Sequence, residues 1–460
     1  RDTDRSRGLG DVYKRQTLSM NFSYKQIWLI AYPILISLLM EHMINVTDTA
    51  FLGHVGEVEL GASALAGVLY MAIYMLGFGF SIGVQILIAR KNGERKYGEI
   101  GGIFMQGAFF LLALAAFMFF LCDSITTHIL SRLISSDQVY AAASSYLEWR
   151  RYGLFFSFIA ILFRALYIGI TETRTLTLNS IVMVLSNIVF NYILIFGKFG
   201  FPALGIAGAA IGSSLAELVS LLFYVAYTWL KVDKKKYALF QQFSFKLSEF
   251  KRIWNISCWT MLQSILFPSQ WFLFFIAIEH LGERPLAIAN IMRSINTCFF
   301  MAIFAFSDTT SSMVSNLLGS GKEKSEIWLA CKRAIRLTYM IGIPFLLLSA
   351  LFPTVLLQIY TNSQELVQAA LPTMYIMLLG YLLSAPGLVL FNAVSGTGNT
   401  NRSMKIMLIT ISIYVVYVVV MVMYLQVDVA IAWTSEYIYG GMLLLLSYLY
   451  LKSGNWNKRI

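Results

Sequence analysis

Charged side chains are scarce in this chain. Only 13% of its 460 residues are Asp, Glu, Lys or Arg, whereas 58% are hydrophobic, and the mean hydropathy is +0.68. A soluble globular protein has about 25% charged and about 45–50% apolar residues. Because so few charges would not cover a water-facing surface, the composition excludes a soluble fold and indicates that lipid is the solvent for much of the chain.

Cysteine and the signatures of catalysis are also sparse. The four cysteines have no Cys-x-x-Cys spacing and lie in or beside apolar runs, so we interpret them as core residues rather than disulfides or metal ligands. No Walker sequence, metal-ligand cluster or nucleophile motif occurs. We therefore predict that the protein is not an enzyme, needs no cofactor, and draws any energy from an ion gradient.

The net charge of +11 does not indicate a nucleic-acid partner, because the basic residues lie in short segments between apolar runs. Lys and Arg occur in alternate loops, such as 90–96, 231–252 and 322–336, and the loops between them carry almost none. This alternation predicts a multi-pass protein of the cell inner membrane with both termini in the cytoplasm. Its expected partners are membrane lipid and a small-molecule substrate, and we expect a monomer.

Twelve segments are apolar over the length of about 20 residues that a membrane-spanning helix needs. The chain is therefore predicted to be an all-α membrane protein. The predicted spans are 26–51, 61–89, 99–122, 143–170, 176–196, 204–230, 253–279, 286–314, 330–358, 367–395, 403–425 and 429–451. The first sixteen residues, RDTDRSRGLGDVYKRQ, hold eight charges and no apolar run, and we predict that residues 1–19 are a non-native leader.

The two halves of the chain repeat each other. The motif HVGEVEL at 54–60 returns as HLGERPL at 280–286, and FGFS at 78–81 returns as FAFS at 304–307, in both cases 226 residues later. Six predicted spans separate the copies, so both copies have the same orientation, as in parallel-repeat transporters. A transporter has a mechanical need for two equivalent lobes, which a receptor or a membrane enzyme does not have.

The repeat divides the chain into domains. We predict an amino-terminal six-helix lobe at 20–230, a basic cytoplasmic linker at 231–252, a carboxy-terminal six-helix lobe at 253–452, and a cytoplasmic tail at 453–460. Parallel-repeat transporters bind their substrate between the lobes and alternate by rocking one lobe against the other.

Polar residues inside the predicted spans are the candidate functional residues, because they are costly in lipid. Glu41, Asn45 and Asp48 have the i, i+4, i+7 spacing of one helical face, and we expect this face to point into the first lobe. Asn187 and Asn191 form a second i, i+4 pair. For Asp48 the alternative is an acid at the end of a helix, for Glu41 it is a structural hydrogen bond, and for the asparagines it is hydrogen bonding between helices.

Other charged residues in the spans are ambiguous. Glu217 is either an ion site or a structural partner, and Asp308 is either functional or an interfacial acid. For Arg164 and Arg293, snorkelling or structural pairing is the simpler interpretation. We include Asn45, Asn290 and Arg293 as candidate substrate-cavity residues, and Glu41 and Glu217 with Asp48 as candidate cation-coupling residues.

At these residues the chain resembles the multidrug and toxic compound extrusion (MATE) family, over residues 20–452. The resemblance rests on Pro33, VTDTAFLG at 46–53, NIVFNYILIFGKFG at 187–200 and SGTGNT at 395–400. It implies two six-helix bundles arranged in a V around a central cavity. It also implies that Asp48, Asn187 and Asn191 form a cation site in the first lobe.

The sequence departs from the sodium-coupled branch of that family, which carries acids in the seventh and tenth spans. The corresponding stretches here, around Phe267 and at 384–387, have none. The resemblance therefore implies an antiporter that exports amphipathic, cationic compounds in exchange for H⁺, with Na⁺ as the alternative coupling ion. The other functions that the sequence leaves open are a lipid-linked oligosaccharide flippase of the same superfamily and, more remotely, a membrane enzyme or receptor.

Overall fold

The computed structural model describes residues 21–241 and 243–456. The predicted leader at 1–19 and residues 457–460 of the predicted tail lie outside these ranges. Within them the chain is helical and contains no strand, as the apolar pattern predicts.

Among the described residues, eleven helices are long and apolar enough to cross a membrane, and a twelfth crossing is complete when one bent pair is counted as a single span. The predicted count of twelve agrees with this upper figure. In chain order, the first to the twelfth span are Tyr24–Gly53, Glu57–Gly93, Tyr97–Leu133, Asp137–Arg150 with Gly153–Gly169, Arg174–Phe196, Ile206–Lys231, Leu247–Glu279, Glu283–Gly319, Lys324–Leu351, Gln364–Gly396, Thr400–Tyr424 and Val429–Ser453.

The fourth span, predicted at 143–170, is present but bent, which the sequence pattern does not predict. Asp137–Arg150 and Gly153–Gly169 meet at an angle of 53°. A Cβ at Gly153 would lie 2.4 Å from Oε2 of Glu217. A glycine at the break therefore allows a charged side chain of the sixth span to lie against the backbone of the fourth.

The repeat in the sequence is also a repeat in the structure. The second span, Glu57–Gly93, and the eighth, Glu283–Gly319, both have 37 residues and begin 226 positions apart. Each begins directly after a glycine, Gly56 or Gly282. Equivalent spans in the two lobes therefore have the same length and the same kind of start.

The lobes are joined at the end of the bundle that carries the basic loops 90–96 and 322–336, which we call the basic side. The Arg90 guanidinium donates to the Thr397 carbonyl at 2.8 Å, and the Asn92 amide donates to Oδ1 of Asn316 at 2.7 Å. A Cβ at Gly93 would lie 2.0 Å from the Asn316 carbonyl oxygen. The second and eighth spans thus pack backbone against backbone between the lobes.

Away from the basic side, the same two spans are much less buried. Within 77–93 of the second span every residue is buried except Phe78 and Ile82, whereas within 57–76 only four are buried. The eighth span shows the same change, since within 301–317 only Phe304 and Asp308 are not buried. We therefore interpret the space between the lobes as a cleft that is closed at the basic side and open at the opposite side.

Candidate functional site

A polar cluster in the first lobe is built around Asp48 of the first span. Nδ2 of Asn191 donates to Asp48 Oδ1 at 2.5 Å, and the Ser213 hydroxyl donates to Asp48 Oδ2 at 3.3 Å. These donors come from the fifth and sixth spans, so three helices meet at one carboxylate. Asn191 is fully buried and Asp48 is half-buried.

Asn187 stands one turn before Asn191 and completes the cluster. Its Oδ1 accepts a hydrogen bond from Nδ2 of Asn191 at 3.2 Å, and its own Nδ2 donates to Ser213 at 3.3 Å. Oδ1 of Asn191 is buried and has no hydrogen-bond partner among the described residues. A Cβ at Gly212 would lie 2.2 Å from this oxygen, so a glycine in the sixth span makes room for the amide.

Beside this cluster, Arg150 and Glu217 form a buried ion pair with two hydrogen bonds. NH1 and NH2 of Arg150 lie 2.7 and 2.6 Å from Oε2 and Oε1 of Glu217. The Tyr70 ring stacks on the guanidinium at 4.0 Å, and its hydroxyl lies 3.5 Å from both Glu217 oxygens. For Glu217, the geometry therefore favours structural pairing over the ion site.

Glu41 lies between the lobes rather than in the Asp48 cluster. The charged groups that interact with it electrostatically are Arg164 of the fourth span and Asp308 of the eighth. NH2 of Arg164 lies 2.6 Å from Oδ2 of Asp308, which gives an ion pair that joins the two lobes. The expectation that Glu41 shares the environment of Asp48 is therefore not met, because the face of the first span crosses from one neighbour to another along its length.

The predicted substrate-cavity residues lie on exposed helix faces. Asn45 and Asn290 are exposed, as is Arg293, whose guanidinium lies 5.3 Å from the centre of the Phe275 ring. The structure does not bring these three into contact with Asp48. A role for these three residues in the substrate cavity therefore stays a prediction.

Sequence reasoning missed Arg150 and Ser213. Arg150 could have been found, because Glu217 is a buried acid and a charge inside a membrane protein needs a partner of opposite sign. Arg150 and Arg151 lie within the predicted fourth span. Ser213 carries no comparable signal, since serine is common in the spans.

Comparison with known proteins gives one family. The model of the family described as MatE matches residues 33–193 and 260–421. The two matched segments begin 227 residues apart, close to the offset of the repeated motifs.

Curated relatives of the chain include two probable multidrug resistance proteins. A probable multidrug resistance protein NorM of Thermotoga maritima is 25% identical over 82% of this chain and 80% of its own length. Another, from Agrobacterium fabrum, is 29% identical over 48% of this chain. For that relative, the alignment spans about half of the curated protein, 47% of its length.

Solved structures share the fold. A transporter of the MOP superfamily from Pyrococcus furiosus, described as having a binding pocket of reverse polarity, aligns with a TM-score of 0.86 at 18% identity and covers 96% of this chain and 98% of that one. An outward-facing multidrug resistance transporter of the MATE family aligns with a TM-score of 0.85, also at 18% identity, and covers 96% of this chain and 98% of that one. At this identity the likeness concerns the fold alone.

Proposed function

This chain belongs to the MatE family, and we propose that it exports amphipathic organic cations in exchange for protons, with Asp48 as the proton carrier. It is a multi-pass membrane transporter. We place it in the inner membrane with both termini, and hence the basic side, in the cytoplasm, following the distribution of Lys and Arg.

The main support for proton coupling through Asp48 is that one buried acid of the first lobe has a counter-ion and the other does not. Glu217 is neutralised by Arg150 at 2.6 Å, whereas Asp48 has no ion pair among the described residues and accepts hydrogen bonds from neutral donors only. A proton on Asp48 would remove the uncompensated charge of this cluster. Because burying an unpaired charge is costly, protonated and ionised Asp48 would favour different packing of the first, fifth and sixth spans.

The orientation of the asparagines favours H⁺ over Na⁺. Sodium is held in transporters by oxygen ligands such as carbonyls and carboxylates. Here both Asp48 oxygens face N–H or O–H donors, and the amide oxygen of Asn187 accepts from Asn191. A sodium cage would require the Asn191 amide to turn, and its oxygen is packed against Gly212.

The charge at the inner end of the cleft supports a cationic substrate. Glu41 and Asp308 are two acids that share one nearby base, Arg164. Aromatic rings lie close by, since Phe78 is 5.4 Å from the Arg164 guanidinium and stacks on Tyr74. An excess negative charge beside aromatic rings suits an amphipathic cation.

Dye efflux from reconstituted vesicles tests the proposal. A pH gradient alone should drive export of a fluorescent organic cation, and a sodium gradient at symmetric pH should not. Export driven by sodium at clamped pH would overturn the proton assignment, and a response to neither gradient would overturn the antiport function.

Replacing Asp48 with Asn tests the carrier. Because the amide imitates the protonated acid, Asp48→Asn should leave membrane insertion intact and abolish export driven by the pH gradient. Asp137→Asn is the matched control, because it removes an exposed acid at the start of the fourth span of the same lobe and should retain export. Full activity in Asp48→Asn would remove Asp48 from the mechanism.

A further inference from the structure

The second lobe contains a buried acid that has no counter-ion among the described residues. Glu436 lies in the twelfth span and is 4% exposed. Its carboxylate has one described hydrogen bond, in which the Tyr414 hydroxyl donates to Oε1 at 3.3 Å. No Lys or Arg in the described ranges forms an ion pair with it, whereas the equally buried Glu217 of the first lobe has Arg150.

The side chains around Glu436 are polar but neutral. Ser435 and Tyr439 of its own span, and Thr410 of the eleventh, have buried hydroxyl groups without a hydrogen-bond partner in the described part of the chain. The Tyr439 and Tyr414 rings are 5.9 Å apart, and Thr410 lies one turn before Tyr414. Buried hydroxyl groups on two spans therefore lie in the region of Glu436, and its carboxylate accepts a hydrogen bond from one of them, Tyr414.

Within residues 21–241 and 243–456, no charged group faces Glu436 from the neighbouring spans. The eleventh span contributes Tyr414, and the seventh packs Phe267 against Tyr439 at 6.3 Å. The tenth span approaches through glycine, since a Cβ at Gly387 would lie 2.6 Å from the Gly440 carbonyl oxygen. Tyr414 and Tyr439 are the titratable groups in these described contacts, and both are neutral phenols.

An ionised carboxylate in such surroundings is unfavourable, because the side chain is buried and no cation among the described residues compensates its charge. Binding a proton removes the charge without any rearrangement of the backbone. Glu436 is also placed like Asp48: Asp48 lies five residues before the end of the first span at Gly53, and Glu436 lies seven residues after the start of the twelfth at Val429, in both cases toward the end opposite the basic side. Each lobe thus holds one carboxylate without a described ion pair at a similar depth.

We propose that Glu436 is a second proton-binding site, in the second lobe, and that one transport cycle exchanges a proton at Glu436 as well as one at Asp48. The inference rests on the proposed antiport function. The proton binds a carboxylate oxygen of Glu436 when the cleft is open opposite the basic side and leaves when the lobes have rocked to open at the basic side.

The number of protons exchanged for each substrate molecule can be determined from the substrate concentration gradient at which net export stops. With the membrane potential clamped at zero, each exchanged proton contributes a factor of ten per pH unit, because one pH unit corresponds to about 1.4 kcal/mol. A gradient of one pH unit should therefore sustain an approximately 100-fold substrate gradient in the wild type and an approximately 10-fold gradient in Glu436→Gln. Glu436→Asp should keep the wild-type value.

Glu365→Gln is the matched control, because it neutralises an exposed acid of the second lobe whose side chain is 79% accessible, and it should keep the 100-fold gradient. A 10-fold gradient in the wild type, or a 100-fold gradient in Glu436→Gln, would overturn the second site while leaving the antiport function in place. A wild-type protein that sustains no gradient at all would instead overturn the proposed function. The wild-type measurement alone decides the stoichiometry if a variant does not fold.

Discussion

The two lobes share a helical plan but treat their buried acids differently. In the first lobe, Glu217 is locked to Arg150 by two short hydrogen bonds, and the neighbouring Asp48 is held by Asn191 and Ser213. In the second lobe, the described partner of Glu436 is a tyrosine hydroxyl. The two lobes therefore repeat the lengths and positions of their helices, but they do not repeat the pairing of their buried acids.

This difference separates acids that form structural ion pairs from acids that are free to bind and release a proton. The charge of an acid that is paired with a guanidinium is already compensated, whereas an acid among neutral donors loses an uncompensated buried charge when it binds a proton. The interlobe pair of Arg164 and Asp308 is a third case, because its two charges belong to different lobes, which the proposed rocking motion would separate. Each of these cases predicts a different response to substitution.

The largest effect is expected from Arg150→Met. The variant keeps an apolar stem but leaves Glu217 buried without a partner, and breaking a buried pair in this way costs about 3 to 5 kcal/mol. Thermal unfolding of the purified protein in detergent should shift strongly downward. The double variant Arg150→Met/Glu217→Gln should recover much of the loss.

Glu436→Gln sharpens the contrast between the lobes, because it removes an acid that has no described cation beside it and should not lower thermal stability. If Arg150→Met were as stable as the wild type, or Glu436→Gln as damaging as Arg150→Met, the distinction between paired and unpaired acids would be wrong.

The spans could be predicted from the sequence because each is a long apolar run, and the repeat could be predicted because its motifs recur at a fixed offset. Sequence reasoning placed Glu41 and Asp48 on one helical face, which is correct geometry. However, a single sequence does not say which helix lies opposite each turn of that face. The break at Gly153 was missed for a related reason: the signal for a span is apolar length, and a bend leaves that length unchanged.

Glu436 was missed although it lies inside the predicted twelfth span. Polar residues inside predicted spans are candidate functional residues, and by that rule Glu436 is as good a candidate as Glu217, since both are acids within apolar segments. Glu436 lacks a carboxylate or amide neighbour at helical spacing such as the pair Asn187 and Asn191, and its hydrogen-bond partner Tyr414 lies in another span. Contacts between helices, rather than patterns along one helix, identify it.

The next effect is expected at the pair that joins the lobes. Asp308→Asn should weaken the closure at the basic side, because a hydrogen bond to a charged group contributes about 1.5 to 3 kcal/mol. Ser315, whose hydroxyl donates to the Ile86 carbonyl across the lobes at 2.7 Å, provides the probe. A cysteine at this position, in a variant without the four native cysteines, should react with a maleimide about tenfold faster or more when Asp308→Asn is present.

Asp123→Asn is the control for this measurement. Asp123 pairs with Arg151 inside the first lobe, so its removal should leave the labelling rate of Ser315→Cys unchanged. Equal labelling rates with and without the Asp308→Asn substitution would show that the interlobe pair does not hold the basic side closed.

The smallest change in the chain, Gly212→Ala, tests how closely the Asp48 cluster depends on its packing. The added methyl would lie 2.2 Å from Oδ1 of Asn191, so the amide must move and its hydrogen bond to Asp48 lengthens or breaks. Overpacking of this kind costs about 1 to 3 kcal/mol, but the strain falls on the end of one side chain rather than on the backbone, so we expect export driven by the pH gradient to fall more than thermal stability does. Gly441→Ala is the matched control in the twelfth span, where a Cβ meets nothing within 4 Å, and it should export at the wild-type rate. If Gly212→Ala also exported at the wild-type rate, the close fit between the sixth span and Asn191 would play no part in coupling, and the comparison between the lobes would rest on the charges alone.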